Sequence, residues 1–219
     1  MIMENAKKKD STRPKDATSF RETKFGIIPR AELARLEAEG VERGLKFIKG
    51  LIKKDSLISS ELILAIHKKC FAWIFPKSAG EFRKIEVEVS DYHPPKFYNV
   101  PILIRQFCDD LNERLKHISP KSEVNKYLKE VISLIAWAQH QFVWIHPFND
   151  YNGRTARLIT NFIFLKLGLP LLEIKVETEE DRKRYVDAMQ SADKRDYSLL
   201  EDIISSALQE AFESGLSEM

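Results

Sequence analysis

Residues 130–168 read EVISLIAWAQHQFVWIHPFNDYNGRTARLITNFIFLKLG, and this stretch decides the fold. Apolar residues at helical spacing dominate both ends, whereas the twelve residues 146–157 between them are mostly polar. Because the residue before a proline avoids helical geometry, Pro147 predicts that the first helix ends by His146. A second helical pattern begins after Gly153. The stretch therefore predicts two buried helices joined by a loop with more functional groups than a simple connection needs.

Helical patterns also fill most of the chain on either side of this pair. Pro29 suits a helix start before residues 31–52, where Gly40 and Gly44 weaken the pattern, so two helices or one kinked helix fit. Gly168 and the proline two residues later end the second buried helix. Further amphipathic helices are predicted within residues 56–75, 101–118, 181–196 and 197–215.

One segment has a different period. Charged and apolar residues alternate over 84–89, which is typical of a half-exposed strand: Lys84, Ile85, Glu86, Val87, Glu88 and Val89. His93-Pro94-Pro95 interrupts this pattern, and residues 97–100 fit a returning strand. The predicted fold class is therefore all-α, a helical bundle with one small β-hairpin.

Composition fits a globular protein without a strongly charged surface. Of the 219 residues, 43% are hydrophobic and 31% are charged, and the net charge of +2 does not favour nucleic-acid binding. Neither a signal-peptide core nor a run of 18 apolar residues is found, so we expect a cytoplasmic protein with no membrane partner. Both cysteines, Cys70 and Cys108, are predicted to be reduced and buried.

The pattern divides the chain into four parts. We expect a disordered or loosely ordered arm over residues 1–22 and an N-terminal helical segment over 23–54. A core domain is predicted over 55–200, and a C-terminal helix over 201–219. No internal repeat is found, so one domain with appended segments is predicted.

The polar loop ends at a helix N-terminus, where free N–H groups and the positive end of the helix dipole favour anions, phosphate above all. Arg154 and Arg157 are three residues apart on one face of the first turn, so both can reach an anion held there. Gly153 permits close approach of a ligand to the backbone. The loop therefore predicts a phosphate site.

Two further loop residues suggest chemistry at that phosphate. Asp150 is a lone carboxylate beside the expected site, and Mg²⁺ is usually held by one or two carboxylates together with phosphate oxygens and water. His146 has the only side chain in the loop with a near-neutral pKa, so it is the natural general base. Taken singly, His146 also fits a helix cap, residues 150–153 fit a turn, and the two arginines fit a solvated helix face. Their combination in one loop favours a functional site.

The loop sequence HPFNDYNGRTAR resembles the signature of the Fic family, HPFx(D/E)GNGRxxR. The resemblance extends over about residues 56–197. AGEFRK, before the predicted strand, is similar to the family's flap hairpin, and DRKRYVDAMQSADKRDYSLL is similar to its nucleotide-side helix. The resemblance implies a Fic-type helical bundle for the core domain.

The family mostly transfers AMP from ATP to a Ser, Thr or Tyr hydroxyl of a target protein, so the resemblance implies a role for each matching residue. His146 would deprotonate the hydroxyl, and Asp150 would hold Mg²⁺ at the α- and β-phosphates. Arg154 would bind phosphate, and Arg157 would grip the γ-phosphate. Asn152 and Gly153 would line the anion hole, while Phe148 would anchor the loop in the core.

The resemblance also assigns residues outside the loop. The flap, including Lys84, Ile85, Glu86 and Val87, would hold the target segment as an added strand. Tyr185 matches a position near the adenine, and Asp193 falls where some relatives have Asn. Tyr151 departs from the family's preferred Gly, at a cost if that position needs positive φ. Tyr151 could also crowd or cover the nucleotide, which leaves a weak activity or a donor other than ATP open.

Many family members carry an inhibitory helix with the pattern (S/T)xxxE(G/N), whose Glu pairs with the second motif arginine. Glu39 in RLEAEG and Glu210 in SALQEA are the two candidates, and each departs from the pattern at one position. Glu39 is preferred because it lies upstream of the core domain. On that reading, Glu39→Gly raises auto-modification.

The sequence thus predicts a protein adenylyltransferase that uses MgATP and is restrained by a Glu-bearing helix. Removal of AMP, another nucleotide or phosphoryl transfer, and a catalytically weak peptide- or nucleotide-binding module remain alternatives. The target protein, a homodimer and self-modification stay open at this point.

Overall fold

The computed structural model describes residues 23–52, 57–89 and 92–217. The predicted arm over residues 1–22 lies outside this described part. Within it, the chain forms seven α-helices: α1 (Arg30–Leu51), α2 (Ser60–Phe71), α3 (Val100–Lys116), α4 (Val124–Ile145), α5 (Asn152–Leu167), α6 (Glu179–Asp193) and α7 (Ser198–Ser217). The all-α prediction is confirmed. None of the described helices is both long and apolar enough to cross a membrane.

The α4–α5 pair forms the centre of the bundle, as its sequence predicts. Helix α4 packs against α3, α5, α6 and α7, and both central helices bury residues on most sides. Helix α4 ends at Ile145 directly before His146 and Pro147, and α5 begins at Asn152. The loop between them is therefore fixed at each end by a buried helix.

Helix α1 is one continuous helix of 22 residues, although its glycines predict a weak point. The two glycines face α2: a Cβ atom at Gly40 would lie 2.4 Å from the Cys70 carbonyl oxygen. A Cβ at Gly44 would lie 2.4 Å from the Cys70 Sγ. Glycine is therefore needed here for close helix packing, and that packing compensates for its low helix propensity.

The hairpin region is less regular than its sequence period indicates. No regular strand forms within the described residues, and among residues 84–89 and 92 the only sign of pairing is an antiparallel bridge between Val89 and Tyr92. The prediction of a returning strand is wrong, because Phe97–Asn99 forms a short 3-10 helix. This helix leads directly into α3, and Pro101 in the first turn of α3 has the φ that a helix start requires.

Candidate functional site

The loop between α4 and α5 is bounded by two residues in the left-handed region. His146 has φ 51° where α4 ends, and Tyr151 has φ 62° where α5 begins. Position 151 therefore has a positive φ, the case in which Tyr in place of the family's Gly carries a conformational cost. Such angles disfavour bulky side chains, so packing around both residues must hold them in place.

The N-terminus of α5 leaves donors for an anion. The first helical hydrogen bond runs from the Thr155 N–H to the Tyr151 carbonyl, at 2.9 Å. The N–H groups of residues 152–154 therefore lie outside the helical hydrogen-bond ladder, at the positive end of the dipole. This end of α5 has the backbone geometry of a phosphate site.

Both predicted phosphate-binding arginines border a cavity beside this helix end. Arg154 and Arg157 line a space of about 660 Å³ whose far wall includes Ala34 and Ala38 of α1. A Cβ at Gly153 would lie 3.6 Å from a guanidinium nitrogen of Arg157, so that head group lies next to the tip of α5. Burial lowers the pKa of Arg157, although the group remains a cation at neutral pH. An anion that enters the cavity would meet these two guanidinium groups, although Glu173 and Glu177 also belong to the lining.

Asn152 holds the loop closed with its side chain. Its Oδ1 accepts from the Phe148 N–H at 2.9 Å, and its Nδ2 donates to the Phe148 carbonyl at 2.8 Å. Phe148 is fully buried, as predicted for an anchor of the loop. The Asn152 side-chain amide is thus occupied within the protein, so this residue has only its backbone N–H to offer an anion.

The His146 ring has the tautomer that a general base requires. Its Nδ1 lies 3.3 Å from the Val143 carbonyl oxygen, which can only accept, so Nδ1 carries the proton and Nε2 has a free electron pair. Burial lowers the pKa of His146, the Val143 contact opposes this shift, and nearby Arg83 adds to it. The ring is therefore neutral near pH 7 and can accept a proton at Nε2.

Asp150 is exposed and lies at the outer end of the loop. One of its oxygens, Oδ1, accepts from the Tyr151 N–H at 2.8 Å. No cluster of three or more His, Cys, Asp or Glu suited to a metal occurs in the described part of the chain. A single carboxylate beside a phosphate site suits Mg²⁺, which takes its remaining ligands from phosphate and water.

Glu37, an acidic residue of α1, contacts the loop. Its carboxylate accepts from the Tyr151 hydroxyl at 2.6 Å and lies 2.7 Å from a guanidinium nitrogen of Arg154. The Glu37 side chain is only 13% exposed, so this pair is better shielded from solvent than a surface ion pair. Tyr151 also stacks on Phe71 with ring centroids 4.1 Å apart. Tyr151 thus packs toward α1 and α2, which offsets the cost of its positive φ.

The two glutamates that the sequence favours as inhibitory residues lie elsewhere. Glu39 pairs with Arg43 at 2.7 Å on the exposed face of α1. Glu210 of α7 pairs with Lys175 at 2.8 Å, and both of these side chains are more than half exposed. Neither glutamate forms the expected pair with Arg157 in this structure.

The two residues matched to the adenine region have partners inside the protein. Tyr185 is 9% exposed, and its hydroxyl donates to Gln139 at 3.1 Å. Asp193 accepts from the buried His140, whose Nε2 lies 2.9 Å away. Neither is among the described residues that line the cavity beside Arg157. Tyr185 nevertheless lies close enough to Arg157 for the two side chains to interact electrostatically.

The predicted flap residues form an exposed extended segment. Lys84 pairs with Glu81 at 2.8 Å, and Glu86 lies 3.7 Å from Lys96. Ile85 is 60% exposed despite its apolar side chain, while Val87 is half-buried. An extended segment with an exposed apolar residue fits the addition of a target strand.

His67 of α2 connects the loop to the segment before the flap. Its Nδ1 accepts from the Gly80 N–H at 2.9 Å, so its Nε2 carries the proton that points to the Asp150 carbonyl, 3.3 Å away. The ring also stacks on Phe148 with centroids 3.7 Å apart. Burial lowers the pKa of His67 to about 4.

Because His67 is buried, we expect the free energy of unfolding to fall in acid. Unfolded His67 binds a proton below about pH 6.5, whereas the folded protein keeps the ring neutral down to about pH 4. The free energy of unfolding should therefore fall by about 2 kcal/mol more in the wild type than in His67→Gln between about pH 7 and about pH 5. Urea titrations measure this difference, and His117→Gln on an exposed histidine is the control. Equal pH dependence in wild type and His67→Gln would contradict the prediction.

Sequence reasoning missed three residues that organise the site: Glu37, His67 and Arg83. His67 lies in an apolar helical stripe and resembles an ordinary core residue. Arg83 lies in the segment AGEFRK, which as a whole is similar to the family's flap hairpin. Nothing in that similarity points to Arg83 in particular. Glu37 gives no signal of its own in the sequence, because its contact with the loop depends on how α1 packs against the bundle.

Comparison with known sequences gives one family. Residues 57–164 match the family model described as "Fic/DOC family". The chain is 30% identical over 177 residues to "Protein adenylyltransferase Fic" of Nematostella vectensis, covering 80% of this chain and 39% of that protein. A Culex quinquefasciatus protein of the same name is 30% identical over 179 residues, covering 81% of this chain and 33% of that protein. The chain thus spans well under half the length of these relatives.

Solved structures of similar fold support the same assignment. Fic-1 from C. elegans has a TM-score of 0.67 and 25% identity, covering 84% of this chain and 52% of that chain. BepC from Bartonella tribocorum, solved with bound AMPPNP, has a TM-score of 0.61 and 17% identity, covering 87% of this chain and 92% of that chain. At so low an identity, the second likeness concerns the fold alone.

Proposed function

The chain belongs to the Fic/DOC family, and from this premise we propose that it is a protein adenylyltransferase. The reaction is the transfer of AMP from MgATP to a hydroxyl side chain of a protein. One observation carries this proposal: a neutral imidazole with a free Nε2 lies in the loop that ends at the N-terminus of α5, where an anion would bind.

The transfer needs one proton acceptor and a charged leaving group. Nε2 of His146 takes the proton of a Ser, Thr or Tyr hydroxyl, and the oxygen attacks the α-phosphorus of ATP. The bond from that phosphorus to the oxygen bridging the α- and β-phosphates breaks, and pyrophosphate leaves. The products are a phosphodiester on the target and pyrophosphate, with the proton on His146 available for release to solvent.

The negative charge of the phosphates is met by fixed groups of this chain. The N–H groups of residues 152–154 point at the phosphate nearest the tip of α5. Arg154 and Arg157 contact the remaining phosphates from the cavity beside α1. Because the N–H groups and Arg157 are in place before the reaction, they stabilise developing charge with little rearrangement.

Asp150 would hold Mg²⁺ at the outer end of the loop, and its exposed position beside the phosphate site suits this role. The ion, when bound, neutralises charge on the phosphate oxygens. The flap would present the target segment, with Ile85 as its exposed apolar contact.

Glu37 would restrain the activity by occupying Arg154. The ion pair at 2.7 Å places a carboxylate where the guanidinium would otherwise meet phosphate, so ATP has to displace it. The hydrogen bond to Tyr151 holds Glu37 in that position. This role replaces the one that the sequence favours for Glu39, which points away from the site.

Removing the charge of Glu37 is expected to raise the affinity for MgATP by about tenfold, because Arg154 is then free to bind phosphate. A tenfold change in affinity corresponds to about 1.4 kcal/mol of binding free energy, a magnitude that fits the loss of a partly buried ion pair. Calorimetric titration of Glu37→Gln measures this affinity. Glu39→Gln is the matched control on the same helix and should bind like the wild type. A gain with Glu39→Gln and none with Glu37→Gln would reverse the assignment.

The proposal that a hydroxyl side chain accepts AMP is tested by finding which residue of the target carries it. The protein is incubated with MgATP, alone and with a mixture of soluble proteins, and modified peptides are sequenced by mass spectrometry. We expect AMP on Ser, Thr or Tyr only with magnesium present. AMP on no side chain, with MgATP bound, would favour a binding module instead.

A further inference from the structure

Arg83 lies at the start of the flap segment and is almost completely buried, with 2% of its surface exposed. Burying a guanidinium is costly unless its donors are satisfied. Its Nε donates to the His146 carbonyl at 2.8 Å. Its two terminal nitrogens donate to the Ile85 carbonyl, at 3.1 Å, and to the Pro95 carbonyl. One planar group thus contacts the general base, the flap and the proline-rich turn after it.

The backbone of Arg83 adds a second connection to the catalytic loop. Its N–H donates to the Pro147 carbonyl at 2.8 Å, next to the residue whose carbonyl the side chain binds. His146 and Pro147 are therefore both held by Arg83. This matters because His146 has a positive φ, which surrounding contacts have to maintain.

We propose that Arg83 is a positioning residue that fixes the direction of the His146 imidazole relative to a target segment on the flap. The inference rests on the proposed transfer of AMP. The rigid, planar guanidinium group of Arg83 donates to both the His146 carbonyl and the Ile85 carbonyl. It therefore fixes the position of the base relative to the flap that would hold the target segment. A displacement of 1 Å between base and hydroxyl can lower a rate by about 10²-fold.

Arg83→Lys tests this role. Lysine keeps the charge and most of the aliphatic stem, but a single ammonium cannot reproduce the planar fork. The expected result is a kcat lower by about 10- to 100-fold with the Kd for MgATP within about twofold, because the phosphate-binding groups are untouched. Tyr92→Phe is the matched control: it removes another hydrogen bond between this region and the end of α4, from the Tyr92 hydroxyl to the Trp144 carbonyl. It should leave kcat unchanged.

A nitrogen-15 NMR spectrum of the His146 ring gives a readout that does not need turnover. The wild type and Tyr92→Phe should show one tautomer, with the proton on Nδ1, whereas Arg83→Lys should show a mixture. An unchanged tautomer, an unchanged kcat, or a loss confined to MgATP affinity would overturn the proposal. If the wild type transfers no AMP, the proposed function fails, and the tautomer alone decides the role of Arg83.

Arg83→Lys could also fail to fold, and the wild type then provides the test. Exchange of the Arg83 Nε proton with solvent should be as slow as that of the core amides, since the bond to the His146 carbonyl is buried. Exchange as fast as that of Arg105, an exposed arginine on α3, would contradict the proposal.

Discussion

Replacing His146 by alanine is expected to lower the rate of AMP transfer by about 10²- to 10⁴-fold while MgATP affinity stays within a few fold of wild type. The imidazole accepts the proton of the incoming hydroxyl, and its position on the loop is separate from the arginines that line the phosphate cavity. Loss of the base therefore slows the chemical step and leaves nucleotide binding intact.

Two measurements together check this prediction. Single-turnover transfer of labelled AMP gives the rate, and calorimetric titration gives the affinity for MgATP. His117→Ala, at a 75% exposed histidine side chain on the surface, is the control and should match the wild type in both. A His146→Ala protein that transfers AMP at the wild-type rate would remove the general base from the account.

Arg157→Ala is expected to lower kcat/KM by about 10²- to 10³-fold, and here the affinity for MgATP should fall as well. Arg157 is half-buried beside the tip of α5, and within the described residues it forms no salt bridge. A guanidinium that is shielded from water and forms no salt bridge, with Glu177 acting on it only at longer range, interacts strongly with phosphate. Its removal leaves charge on the nucleotide without a partner, a loss of about 3 to 4 kcal/mol.

Two further variants, one at position 157 and one at a remote position, separate the effect of the Arg157 charge from that of its planar shape. Arg157→Lys should recover part of the loss, because lysine keeps the charge without the planar fork. Arg105→Ala, on an exposed arginine of α3, should have no effect. Binding of MgATP to Arg157→Ala at wild-type affinity would mean that the phosphates lie elsewhere.

The α4–α5 junction could be predicted closely because local rules govern it. Pro147 fixes the end of α4, and apolar residues on nearly all sides of both helices leave no alternative to burial. The family's preference for glycine at position 151 raised a positive φ only as a condition, and the structure shows that Tyr151 has one. These features depend on a few neighbouring residues.

Features that depend on tertiary contacts could not be predicted in this way. At about 100° per residue, Glu37 is turned by about 60° from the cavity-lining Ala34, whereas Glu39 is turned by about 140°. The sequence pattern E-G favoured Glu39, but the orientation of α1 against the bundle selects Glu37. The bonds of Arg83 to carbonyls 2, 12 and 63 residues away likewise require the folded chain.

The most direct test of the central claim compares two labels on the same nucleotide. The protein is incubated with MgATP labelled at either the α- or the γ-phosphate, with and without the soluble protein mixture, and protein-bound label is counted. We expect label from the α position only, because pyrophosphate leaves with the other two phosphates. Protein-bound label from the γ position, or none from the α position, would contradict AMP transfer at this site.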